Sequence, residues 1–193
     1  MDPRERIKAL LADHLRTVEE FIARERETII KVVEVTKGII DKGGKILIFG
    51  NGGSAGDAQH LAGELVNRFK KERRPLPAIA LTTDTSVLTA IANDYDFSQV
   101  FSKQVLALGR PGDLAIAIST SGNSPNVLEG LKTAKELGIT TIGLSGGNGG
   151  KMKELCDYLL LVPSYETPRI QEGHLFFIHI FSELLEELIS TEE

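Results

Sequence analysis

The chain has 193 residues, 41% of them hydrophobic, and a formal net charge of −5, so it can bury one sizeable core but offers no overall positive field to a nucleic-acid backbone or an anionic membrane. Cys156 is the only cysteine, which excludes an internal disulfide and a thiolate metal cage. No stretch approaches the roughly 20 apolar residues that span a bilayer, and the start Met1-Asp2-Pro3-Arg4-Glu5-Arg6 is charged, so a soluble cytoplasmic protein with one domain over 1–193 is expected.

From Ile7 to Ile40 apolar residues recur at three and four (Ile7, Leu11, Leu15, Val18, Ile22, Ile29, Val33, Ile40). This spacing predicts an amphipathic helical arm over 1–41, as one helix or two, ahead of an α/β core over 45–190. Lys42-Gly43-Gly44 interrupts it, and Lys45-Ile46-Leu47-Ile48-Phe49-Gly50 follows, a short apolar run ending in glycine as buried parallel strands do. Four similar runs occupy 77–82, 113–119, 140–145 and 158–163, with helical patterns between most of them. The clearest helix spans Pro125 to Leu137, with Ser124 as its N-cap and Gly138 as its terminal glycine. The last segment, 168–189, is apolar nearly all round between Leu175 and Phe181, so it must be buried in the domain or against another subunit. The alternation predicts a doubly wound, flavodoxin-like sheet of five parallel strands with a buried C-terminal helix. The basic cluster Lys70-Lys71-Glu72-Arg73-Arg74 reads as a solvated loop, and Cys156 as a small buried apolar residue.

In open α/β sheets ligands bind beyond the carboxyl ends of the strands, and two turns there are unusual. Gly50-Asn51-Gly52-Gly53-Ser54-Ala55-Gly56 lets the backbone approach a ligand ahead of a helix, although glycine turns are common for steric reasons alone. Ser119-Thr120-Ser121-Gly122-Asn123-Ser124 places four hydroxyls and an amide before a helix N-terminus, more than a cap needs, and able to hold a phosphate without lysine or arginine. Neither turn has the spacing of a dinucleotide fingerprint or a P-loop, so a small phosphorylated ligand is expected rather than a nucleotide.

His60 and Glu64 lie four apart on one helix face, an arrangement suited to metal binding, proton transfer or simple helix pairing. His179 stands within Phe176-Phe177-Ile178-His179-Ile180-Phe181, where an imidazole needs a partner. Spacing alone pairs it with Glu172, seven residues earlier. His14 and His174 read as packing or surface residues.

Together these residues resemble the sugar isomerase (SIS) domain family, in which a Ser-Thr-Ser-Gly-Asn-Ser loop grips the phosphate of a phosphosugar. The likeness runs through Asn51-Gly52-Gly53-Ser54, Asp57-Ala58-Gln59-His60, Leu76-Pro77-Ala78-Ile79-Ala80, Asn93-Asp94, the serine loop and Arg169-Ile170-Gln171-Glu172. That order is similar to the phosphoheptose isomerase branch. The resemblance implies conversion of sedoheptulose 7-phosphate to D-glycero-D-manno-heptose 7-phosphate, the first step toward activated heptose for lipopolysaccharide or other glycoconjugates. It implies a homotetramer with one zinc per subunit, held by His60, Glu64, Gln171 and His179, with Glu172 as the alternative to Gln171. Glu64 and His179 are the implied acid–base pair, in either assignment. The implied sugar and phosphate contacts are Asn51, Gly52, Gly53, Ser54, Glu64, Asn93, Asp94, Ser119, Thr120, Ser121, Ser124 and Gln171.

One residue departs from the pattern: Pro168 stands where some relatives carry an aspartate that could assist proton transfer. The rival reading is a non-catalytic SIS-domain adaptor that binds the bacterial replication initiator; that branch lacks the counterparts of Glu64 and His179, which this chain retains.

Overall fold

The five apolar runs pair as parallel strands in the computed structural model, which describes residues 2–190. They are β1 (Ile46–Gly50), β2 (Ala78–Ala80), β3 (Leu114–Ile118), β4 (Thr140–Gly146) and β5 (Tyr158–Val162), in the order β2-β1-β3-β4-β5. Side chains alternate across the sheet as a period of two requires. Ile46, Ile48, Ile116 and Ile118 join a core with Phe21, Leu61, Phe177 and Phe181 on one face. Leu47, Phe49, Ala115 and Ala117 meet Val105, Val127 and Leu131 on the other. The first face is covered by α1 (Pro3–Asp41), α2 (Gly53–Val66) and α6 (Thr167–Ser190); α4 (Ser102–Leu108) and α5 (Pro125–Glu136) cover the second, and α3 (Thr85–Asp94) follows β2.

The strand order reverses between β1 and β3, whose ends are in register at Gly50 and Ile118. This is the topological switch point, and it sets the two unusual turns side by side at the carboxyl edge of the sheet. Asp113 fixes the opposite edge: its carboxylate accepts from the Lys45 and Arg110 amides, each at 2.9 Å, and from the Lys45 ammonium.

The arm is one helix of 39 residues, started by Asp2, whose carboxylate accepts from the Arg4 amide, and by Pro3 in the first turn. Its N-terminal half leaves Ile7 66%, Leu11 57% and Leu15 51% exposed, whereas Phe21, Ile29, Val32 and Val33 are in the core. Helix α6 buries Phe177, Ile178, Phe181 and Leu185 but turns Leu175 and Phe176 outward, so its all-round apolar stretch is only half used within the chain. The basic segment is solvated at Lys70, Lys71 and Arg74 but not at Arg73, which is 7% exposed because its guanidinium is bonded to backbone carbonyls at the end of α2. Half-buried Cys156 has its thiol pushed up to about 12 by desolvation, as an inert packing residue would.

Candidate active site

At the switch point the turn after β1 reaches Gly52 with a φ of 56°, and α2 begins at Gly53 without a side-chain cap. Asn51 and Asn126 exchange two amide hydrogen bonds of 2.8 Å, which clamps the β1 turn to the first turn of α5. The serine loop is pinned in the same way. The Gly146 amide donates to the Thr120 carbonyl, the Met152 amide to the Gly122 carbonyl, and the Lys151 amide to Asn123 Oδ1. Gly122, at φ 65°, lets this loop close: a Cβ there would stand 2.0 Å from the Gly149 carbonyl oxygen. Ser124 occupies the N-cap position, yet its hydroxyl makes no cap bond and instead pairs with the Ser119 hydroxyl at 3.0 Å. The capping expected of Ser124 is therefore not made, and the first-turn N–H groups of α5 stay open to an anion.

The start of α6 separates two clefts. One, of about 270 Å³, is lined by Thr120, Ser121 and Asn123 of the serine loop with Tyr165, Thr167 and Ile170. The other, of about 290 Å³, is lined by Gly53, Asp57, Pro168, Gln171, Glu172 and Leu175. The Gln171 amide lies against Gly53, where a Cβ would meet Nε2 at 2.4 Å and push the end of the Gln171 side chain aside. Asp57 is the residue that pattern reading overlooked. Its Oδ2 is buried without a hydrogen-bond partner, and desolvation pushes its carboxyl up to about 6 against the opposing pull of His60. The signal was present in the spacing: Asp57 is one turn before His60 and four residues after Gly53, on the face that looks toward α6.

Farther along the same two helices, His60 Nε2 lies 3.0 Å from Glu64 Oε1 and 3.2 Å from His179 Nε2, and the Phe69 ring packs against the His179 imidazole at a tilt of 34° with centroids 5.6 Å apart. The partner that His179 needs is thus His60. It is not Glu172, because both Glu172 oxygens are engaged, one by Arg169 and the other by His14 of the arm at 2.7 Å. Seven-residue spacing suggested otherwise since it ignores α1, which delivers His14. Gln171 stands apart from the histidine pair, eight residues and so about 12 Å of helix rise before His179. Among the described residues no three His, Cys, Asp or Glu side chains form a ready-made metal cluster. His174 is fully buried and its Nε2–H donates to the Ser145 carbonyl at 3.2 Å, with burial holding the pKa of its imidazole down to about 4. Asn93 and Asp94 are exposed at the end of α3, bonded to each other, and line neither cleft.

Residues 11–146 match the family model of the SIS domain. The phosphoheptose isomerase of Aquifex aeolicus (strain VF5) is 53% identical over 185 residues, which cover 96% of this chain and 97% of that protein. The chain belongs to the phosphoheptose isomerase family. The likeness to this family extends to solved structures: the phosphoheptose isomerase GmhA from Neisseria gonorrhoeae superposes with a TM-score of 0.91 at 45% identity, covering 95% of this chain and 98% of that one. The phosphoheptose isomerase from Francisella tularensis gives a TM-score of 0.94 at 36% identity, covering 97% and 100%. Family membership accounts for the serine loop, the Asn51-Gly52-Gly53 turn and the His60–Glu64 spacing together; the adaptor reading gains no support from these relatives.

Proposed function

We propose that the chain interconverts sedoheptulose 7-phosphate and D-glycero-D-manno-heptose 7-phosphate, with the acid–base chemistry carried by Glu64 and His179. The observation behind this reading is that His60 lies 3.0 Å from Glu64 and 3.2 Å from His179, which joins the two groups from two helices, on the same pair of helices that lines the Gln171 cleft. The phosphate is held by the hydroxyls of Ser119, Thr120, Ser121 and Ser124 and by the open amides of α5. Gly53, Ser54, Gln171 and Asp57 supply donors and acceptors for the sugar hydroxyls, with Asn51 braced behind them by Asn126. Asn93 and Asp94 take a sugar contact only if another part of the assembly meets the end of α3.

Aldose–ketose exchange moves one proton between C1 and C2 and one between their oxygens. Glu64 carries the first and His179 the second, and each such group supplies about 10²–10⁴-fold. Phe69, packed against the imidazole, and the apolar flank of α6 limit the orientations His179 can take. His60, Glu64 and His179 form an N, N, O set suited to zinc. Bound there, zinc would supply Lewis-acid polarisation of the substrate carbonyl. Gln171 as the fourth ligand requires its amide to leave Gly53.

A homotetramer is proposed from the apolar surface that one chain leaves uncovered: Ile7, Leu11 and Leu15 on the arm, Leu175 and Phe176 on α6, and an α3 with no buried residue. No helix among the described residues is long and apolar enough to cross a membrane, in keeping with action in the cytoplasm on a soluble phosphosugar. Glu64→Gln tests the catalytic assignment. It should bind sedoheptulose 7-phosphate as the parent does while turnover drops by roughly 10²–10⁴-fold; full activity removes Glu64 from the mechanism.

A further inference from the structure

Between α2 and β2 the chain crosses from the helix that carries Glu64 to the edge of the sheet, and this crossing is built around a buried ion pair. Arg73 and Glu186 have side chains only 1% and 2% exposed, and Arg73 Nε lies 3.5 Å from Glu186 Oε1. Neither is spent on packing alone. Arg73 Nη2 donates to the backbone carbonyl of Glu64 at 2.8 Å, and Nη1 donates to the carbonyls of Leu65, Asn67 and Arg74 at 2.8, 3.0 and 3.0 Å. The guanidinium thus gathers the orphan carbonyls at the end of α2 and neutralises the negative end of its dipole.

Glu186 belongs to α6, seven residues after His179 and therefore close to the same azimuth. Its carboxylate accepts three successive amides, from Phe69 at 2.9 Å, Lys70 at 2.8 Å and Lys71 at 2.7 Å. Burial alone would raise its pKa; the three amides and Arg73 offset that and hold the carboxyl below its ordinary value. The first residue of the gripped triplet is Phe69, whose ring packs at a tilt against the His179 imidazole, centroids 5.6 Å apart.

We propose that Arg73 and Glu186 are positioning residues for the acid–base pair, fixing Glu64 through its own backbone carbonyl and His179 through the Phe69 ring. The pair joins the end of one catalytic helix to the other by a charge contact, and its links onward to Glu64 and to Phe69 are made to their backbone groups, so a shift in it moves both reacting groups at once. Neither residue lines the serine-loop cleft or the Gln171 cleft. The inference rests on the assignment of Glu64 and His179 as the reacting groups, and its test is arranged so that the two can fail separately.

The test is Glu186→Gln in the full chain, with Arg73→Lys as the milder second variant in case the first folds poorly. Substrate KM should stay within about twofold while kcat falls roughly 10- to 100-fold, the scale of a misplacement near 1 Å. In a Glu64→Gln background the same change should cost less than in the parent, because the part of its effect that acts through Glu64 is already gone. Independently of turnover, the imidazole ¹⁵N signals of His60 and His179 should shift in Glu186→Gln while those of His14 stay. Parallel losses in KM and kcat, an undiminished loss in the Glu64→Gln background, or unmoved His60 and His179 signals would overturn the positioning role. Should the parent protein fail to turn over the sugar, the ¹⁵N shifts alone decide it.

Discussion

Asp57 keeps an unpartnered carboxylate oxygen at the edge of the Gln171 cleft, an arrangement that costs stability and is retained where a ligand will complete it. Since its folded pKa is about 6 against an ordinary 3.8, the native state binds a proton more tightly than the unfolded chain. The stability associated with that proton is present in full below about pH 3.8 and is lost as the pH rises through 6. Asp57→Asn is therefore expected to melt higher than the parent at pH 7.5, with the gap closing toward pH 4, in zinc-free protein followed by thermal denaturation. It should also raise KM for the sugar. His174 has the opposite sign: a folded value near 4 against 6.5 makes stability full above pH 6.5 and falling as the pH drops to 4. His174→Gln should flatten this acid-side loss by up to about 3 kcal/mol, read from denaturant unfolding at pH 7 and pH 4.5. At this scale the sequence was a partial guide. His60 and Glu64 show in one helical spacing, but the pairing of His179 with His60 is a contact between α2 and α6, and the engagement of Glu172 depends on an arm 158 residues away. Linear spacing holds no record of either.

Elements were more legible than their contacts. The central strands β1 and β3 are continuous apolar runs because they are buried on both faces, whereas the edge strands β2 and β5 are only partly buried; all five runs nonetheless announced strands to within two residues at either end. What the runs conceal is strand order, which follows from the crossovers and decides that the β1 and β3 turns meet. The serine loop illustrates the difference. Its hydroxyls are visible in sequence, whereas the turning of Ser124 toward Ser119 and the closure of Gly122 on Gly149 are products of the neighbouring β4–β5 connection. Gly122→Ala tests this closure. A methyl group 2.0 Å from a carbonyl oxygen at positive φ forces the loop open, at a cost of about 1–3 kcal/mol. Calorimetric binding of the phosphosugar should weaken at least tenfold, while any zinc taken up at the proposed His60, Glu64 and His179 site, outside the serine loop, should stay unchanged.

Among the described residues, large apolar side chains left exposed include Ile7, Leu11 and Leu15 on the arm and Leu175 and Phe176 on α6. If the proposed tetramer forms through this surface, Leu11→Glu with Leu15→Glu should lower the mass measured by light scattering relative to the parent, leaving the far-ultraviolet dichroism of the sheet core in place. The family resemblance, the phosphate loop at the switch point and the converging His60, Glu64 and His179 meet in one claim, that this chain isomerises a phosphorylated heptose. The most direct measurement is the anomeric proton NMR spectrum of sedoheptulose 7-phosphate incubated with the zinc-supplied protein. Signals of D-glycero-D-manno-heptose 7-phosphate are predicted to grow to an equilibrium mixture; a spectrum with no aldose signals after prolonged incubation would contradict the account.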